Sequence, residues 1–315
     1  MRCTWSAIWI MMKSRIRLLI LAAAFLLMTA GLSGCGNKPP EGGRLRVFVS
    51  ILPQAFIVDQ IAGGAVDVSV LVGPGQSPAF FEPSPQQMAE LERADIYLRI
   101  GVPFESQLVD KIARLWPELG VVDTRRGIDL VEADHHHGGG HDHGNEPDPH
   151  IWMDPGLVKI QAATVGEALI RLDSARADMY RSNLAAFTAR LDSLDRELAG
   201  MLAPYRGERL YVFHPAFGYF ARAYGLVQVP IEIEGKEPGS RRLAEFIERA
   251  RAERVKIIFV QKQFSTRSAE TIARAIGGTV VTIDPLAYDY SINLRTMAED
   301  LLRALSPKND GGEND

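Results

Sequence analysis

Cysteine is nearly absent: Cys3 and Cys35 are the only two in 315 residues. A chain processed at Cys35 keeps one cysteine, at its first position, which excludes an internal disulfide, a thiolate metal site and a catalytic thiol. An excess of positive charge is missing as well. Thirty-five Lys and Arg against 39 Asp and Glu leave a formal charge of -4, so there is no basic face for a nucleic-acid partner. No apolar run reaches the ~20 residues that a membrane-spanning helix needs; Leu18–Ala30 falls short. No His-Glu-x-x-His helix occurs, and no motif supplies a general base beside a substrate pocket, so an enzyme is not expected.

What is present begins with an export signal. Lys13, Arg15 and Arg17 precede the apolar run, and Leu32-Ser33-Gly34-Cys35 follows it. The order is that of a secretory signal, and the last four residues resemble a bacterial lipobox, in which Cys35 receives the lipid. The expectation is an extracytoplasmic chain held to a membrane by that anchor. Residues 36–43, rich in Gly and Pro, read as a flexible tether.

With 46% hydrophobic and 23% charged residues, the remainder has the balance of a globular protein and the length for two domains. Strand patterns at Leu45–Ser50, Val66–Val72, Ile96–Ile100 and Gly120–Asp123 alternate with helical spacing over Ser84–Ala94 and Phe104–Trp116. The alternation resumes with strands at Leu210–Phe213, Leu226–Ile231, Lys256–Val260 and Thr279–Ile283, and helices at Arg241–Arg254, Ser268–Ile276 and Asn293–Leu305. Such alternation predicts parallel sheets covered by helices. Between the blocks, Leu184, Phe187, Leu191, Leu194, Leu198 and Met201 form one helical stripe. Asp173 and Ser174 can cap its start, and Pro204 ends it. The fold class is therefore α/β, two lobes each with a parallel-rich sheet, joined by one long rigid helix. The divisions are a signal and lipobox at 1–35, a tether at 36–43, a first lobe at 44–173, the connecting helix at 174–203, a second lobe at 204–305 and a polar tail at 306–315.

The seven histidines are concentrated in three places. His135, His136, His137, His141 and His143 lie in a low-complexity tract, residues 134–145, that reads as a solvated loop and a weak, exchangeable metal collector. His150 stands in Asp-Pro-His-Ile-Trp-Met-Asp-Pro, and His214 follows the Leu210–Phe213 strand. Ligands of open α/β sheets gather at strand carboxyl ends, where His214 and Asp284 both fall. One imidazole from the first lobe, with an imidazole and a carboxylate from the second, makes an N/O site suited to zinc, and less specifically to manganese or iron. The plainer alternatives are a turn-capping His150, a His214 bonded only to backbone, and an Asp284 that merely starts a turn at Pro285. Asp148 and Asp154 are placed to orient His150.

At these residues the chain resembles the cluster A-I solute-binding proteins, the zinc and manganese receptors of bacterial ABC importers. Gly73-Pro74-Gly75-Gln76-Ser77-Pro78, Phe81-Glu82-Pro83-Ser84-Pro85, Glu237-Pro238-Gly239-Ser240 and Gln263-Phe264-Ser265 extend the likeness over nearly the whole mature chain. The resemblance implies two lobes, a rigid connecting helix, a metal held in the cleft, and a membrane permease as partner of a monomeric receptor. Carried over by residue, it gives His150, His214 and Asp284 as ligands. Histidine rather than glutamate at position 214 favours zinc. In one place the chain departs: where the family sets its first histidine after Ser77-Pro78, this chain has Ala79. Glu82 or a loop histidine is the substitute to consider, with Glu82 more readily a structural carboxylate. The competing functions are a surface metal-storage or adhesion protein on the same fold and, behind it, a zinc metalloenzyme.

Overall fold

The computed structural model describes residues 43–132, 147–232, 239–264 and 266–305. The signal segment with Cys35, the tether up to residue 42, the histidine tract at 134–145 and the tail from 306 lie outside the described residues. Among the described residues no helix is long and apolar enough to cross a membrane.

Eight strands form two four-stranded sheets. The first contains β1 (Leu45–Val49), β2 (Val66–Val70), β3 (Ile96–Arg99) and β4 (Gly120–Asp123), in the order β2-β1-β3-β4. The second contains β5 (Arg209–Val212), β6 (Val227–Pro230), β7 (Ile257–Gln261) and β8 (Thr279–Ile283), in the order β6-β5-β7-β8. Every pairing is parallel, as expected of sheets whose strands return through crossover helices. In each sheet the order reverses between its first and third strands, the place where open α/β sheets hold ligands.

The first lobe carries α1 (Leu52–Ala62), α2 (Pro85–Leu91), α3 (Glu105–Leu115) and α4 (Pro155–Leu172). Then comes α5 (Ala177–Leu202), followed in the second lobe by α6 (Gly218–Tyr224), α7 (Ser240–Ala252), α8 (Arg267–Ile276) and α9 (Tyr290–Leu305). Strands buried on both faces explain the layering. Val47 and Val49 of β1 face one apolar cluster, while Phe48 between them joins Leu91, Tyr97, Leu108 and Ile112 under α2 and α3. The larger cluster runs on through α1, α4 and α5 into β5, α6 and α9, so one continuous core crosses from lobe to lobe. A separate cluster lies under α7 and α8.

The connecting helix spans 26 residues, Ala177–Leu202, shorter than the expected 174–203 at both ends. A 3-10 turn, Ser174–Arg176, precedes α5, and Asp173 does not cap the helix. Its carboxylate accepts instead from Arg176 Nη1 (2.6 Å) and the Tyr180 hydroxyl (2.8 Å). Pro204 lies in a closing 3-10 turn, Ala203–Tyr205. Phe187, Leu191, Leu194 and Leu198 are buried as the stripe requires, whereas Leu184 and Met201 are half-buried. The helix packs on α1 and α4 of the first lobe and on α6 and α9 of the second. Gly166 permits the close approach of α4: a Cβ there would stand 3.0 Å from Leu184 Cδ2.

Candidate metal centre

His150 closes the short segment of the first lobe that begins at Pro147. Asp148 N–H bonds to Val131 O (2.9 Å), and a 3-10 turn at Ile151–Met153 begins on His150. Asp154 then caps α4, its Oδ1 accepting from Gly156 N at 2.7 Å. The short turn leaves the imidazole beside Asp148, whose Oδ1 accepts both the backbone N–H of His150 (2.9 Å) and Nδ1 (2.6 Å). Of the two acids expected to orient His150, Asp148 does so and Asp154 serves the helix. Trp152, buried, packs its ring 5.1 Å from the His150 ring and donates from Nε1 to Pro285 O of the second lobe (2.8 Å).

His214 lies two residues beyond β5, at the point where the order of the second sheet reverses. Gln261, buried at the end of β7, brackets it: Gln261 Oε1 accepts from His214 N (3.1 Å) and Nε2 donates to His214 O (2.6 Å). The ring stacks on Phe264 with centres 4.8 Å apart. Its Nδ1 is hydrogen-bonded to Glu232, which is 2% exposed and follows β6. Burial pushes the His214 imidazole below the ordinary histidine range; Glu232 pulls upward and the neighbouring His150 pushes down further. A neutral imidazole with its Nδ1 proton on a carboxylate offers the Nε2 lone pair to a metal.

The two rings stand edge to face, with centres 5.2 Å apart. That separation is short enough for one ion, at the usual ~2.0–2.1 Å from a ring nitrogen, to reach both imidazoles. Each imidazole leans on its own buried acid, His150 on Asp148 and His214 on Glu232.

Asp284 stands directly after β8, and its carboxylate is engaged elsewhere: Oδ1 accepts from Gln263 Nε2 (2.8 Å) and Leu286 N (3.1 Å), and Lys262 Nζ is 3.7 Å from Oδ2. Among the described residues no three His, Cys, Asp or Glu side chains are drawn together as a metal-holding group. The structure thus brings His150 and His214 together and does not bring Asp284 to them. Ala79 is half-buried in the 3-10 turn Pro78–Phe80, its N–H directed at Ser77 Oγ (3.3 Å). Glu82 is exposed. The five histidines of the 134–145 tract lie outside the described residues. Glu232, Gln261 and Phe264 escaped the sequence reading as parts of the site. Only the pairing of β5 with β6 and β7 marks the first two.

The model of the family described as zinc-uptake complex component A, periplasmic (ZnuA), matches residues 47–304. The high-affinity zinc uptake system protein ZnuA of Bacillus subtilis is 28% identical over 295 residues, which cover 88% of this chain and 90% of that one. A crystal structure of ZnuA superposes with a TM-score of 0.79 at 40% identity, covering 84% of this chain and 100% of its own. A zinc-bound deletion mutant of ZnuA gives 0.78, also at 40% identity and with the same coverage.

Proposed function

The chain belongs to the family of periplasmic zinc-uptake component A, and on that footing we propose that it is an extracytoplasmic receptor that captures Zn2+ for an ABC importer. The observation that carries the reading is the pair of imidazoles, one from each lobe, 5.2 Å apart and each backed by a buried acid. His150 and His214 are the imidazole ligands. Asp284 becomes a third when an ion draws Oδ2 away from Lys262. Position 79 contributes no donor, so water or a histidine of the 134–145 tract completes the shell. Exposed Glu82 is the weaker substitute. The receptor hands its ion to a membrane permease and acts without chemistry of its own.

The anchor is part of the same proposal: Cys35 carries a lipid, and Cys35→Ala should abolish lipid labelling and release the chain from membranes. The central test is zinc affinity measured by competition with a chromophoric chelator. His150→Ala and His214→Ala should each weaken binding by more than ~10-fold, since even loss of a partner behind a ligand typically costs 10–100-fold. Unchanged affinity in both variants refutes the assignment of the cleft as the metal site.

A further inference from the structure

His150 belongs to the first lobe, yet the groups that hold its carboxylate partner come from the second. Tyr219 of α6 is buried, and its hydroxyl donates to the carbonyl of Asp148 (3.1 Å) while accepting from the N–H of Val131 (3.2 Å). Val131 and Asp148 are the two sides of a chain closure, joined by the Asp148 N–Val131 O bond and by the adjacent Glu132–Pro147 bridge. One residue before Tyr219, Gly218 provides the space in which the acid sits: a Cβ added there would stand 2.8 Å from Asp148 Oδ2. That is closer than real Cβ contacts come. The other oxygen, Oδ1, holds both the backbone and the ring of His150. Asp148 is therefore gripped at its carbonyl by Tyr219, bounded at Oδ2 by Gly218, and committed at Oδ1 to His150.

We propose that Gly218 and Tyr219 are positioning residues for the first-lobe imidazole, acting through Asp148. Resting on the reading of His150 as a ligand, the inference adds where the geometry of the metal pair is set. The six residues from His214 to Tyr219 supply one imidazole and fix the orientation of the other. Seating one lobe on the other and aligning the two rings become a single event. A merely structural Tyr219, packed with Phe217 and Phe220 in the core, would affect stability but not His150 in particular.

The test is a double-mutant cycle on the full chain, which isolates coupling between neighbours from additive effects. Gly218→Ala and Tyr219→Phe are each made alone and in a His150→Ala background, and zinc affinity is measured for all. Gly218→Ala suits the purpose because Gly218 has an ordinary negative φ and Ala favours helix over Gly, leaving displacement of Asp148 as its main effect. Each substitution should weaken zinc about 10-fold in the native background and less than about twofold with His150 gone, where no ring remains to orient. Independently, the Nδ1 proton resonance of His150 in the metal-free protein should shift or vanish in both variants while that of His214 persists. Equal losses in both backgrounds, or no loss in the native one, would overturn the clamp. If His150→Ala leaves affinity intact, the ligand reading itself falls, an outcome distinct from equal losses on a weakened background.

Discussion

Replacing Glu232 separates the two things that a carboxylate behind the proposed metal-binding imidazole of His214 can do. Glu232→Gln keeps an acceptor for Nδ1 of His214 and removes the charge; Glu232→Ala removes both. The acid is 2% exposed and its Oε2 has no hydrogen-bond partner among the described residues, so water does not readily replace it. Losing the acceptor strands a buried N–H, at a cost of about 1–3 kcal/mol, and frees the ring to turn against Phe264. Losing the charge removes attraction to a divalent ion about 6–7 Å away, at most ~5 kcal/mol at an effective dielectric of ~20. With the His214 side chain 19% exposed, solvent screens part of that. The net should fall near the 10–100-fold found for such partners, ~1.4–2.7 kcal/mol, with Ala at the upper end and Gln near the lower. Because Oε2 is buried unpaired, Glu232→Gln should leave the thermal midpoint of the metal-free protein unchanged or raised while zinc affinity falls. Competition titration and metal-free thermal melts measure both quantities. Affinities within twofold of native for both variants refute the role of Glu232, and a drop in the metal-free midpoint matching the affinity loss shows general damage instead.

Three further outcomes follow from the same geometry. Ala79→His should raise zinc affinity by restoring the family's first imidazole, by less than His150→Ala lowers it; unchanged affinity in calorimetry means that another donor already holds the position. Leu194→Ala, at a fully buried site in the second half of α5, should cost about 2–5 kcal/mol in urea unfolding, and a cost below ~1 kcal/mol contradicts a helix shared by both lobes. Burial pushes the Asp173 carboxyl up, but hydrogen bonds from Arg176 and Tyr180 hold it below the usual carboxylate range. Its stabilisation is then present above about pH 4, the unfolded value, and lost as pH falls through the lower folded value. Asp173→Asn should accordingly lower the thermal midpoint at pH 7 and converge with the native protein in acid; a pH-independent difference rules this out.

The strands were legible because short β-rich runs alternate with helical spacing, and all eight lie within one or two residues of those runs. Three helices were not. In α1 the apolar residues crowd most of the circumference, since Pro53, Ala55, Ile57, Val58, Ile61 and Ala62 are all buried, and without a polar face the helical period is lost. The start of α4 is written in Asp154-Pro155, a capping acid before a proline, but the pair also closes the histidine motif, which masks the helix start. α6 is seven residues long, too short for a period to register. The imidazoles stood out because histidine is rare outside the low-complexity tract. Glu232 did not, being one of 39 acids, and it reaches His214 only because β6 lies beside β5.

Both sheets share one strand order, yet they do not place the two proposed ligands in the same way. In the second, the loop after β5 carries His214, held by Gln261 from β7 across the reversal. The corresponding loop of the first sheet begins with Ser50, and there the crevice is filled by the protein itself. Glu105, fully buried, accepts from Ser50 Oγ and from the N–H groups of Ile100 and Gly101, and Ser50 also bonds the Tyr97 hydroxyl (2.6 Å). Burial pushes the Glu105 carboxyl up despite those bonds, and with both oxygens committed to Ser50, Ile100 and Gly101 it is a packed structural acid. With its own reversal point closed, the first lobe provides its proposed imidazole from beyond β4, on the segment that begins at Pro147. A rule about strand ends therefore finds His214 and cannot find His150, whose place depends on Val131, Asp148 and the second lobe's Tyr219 rather than on any strand.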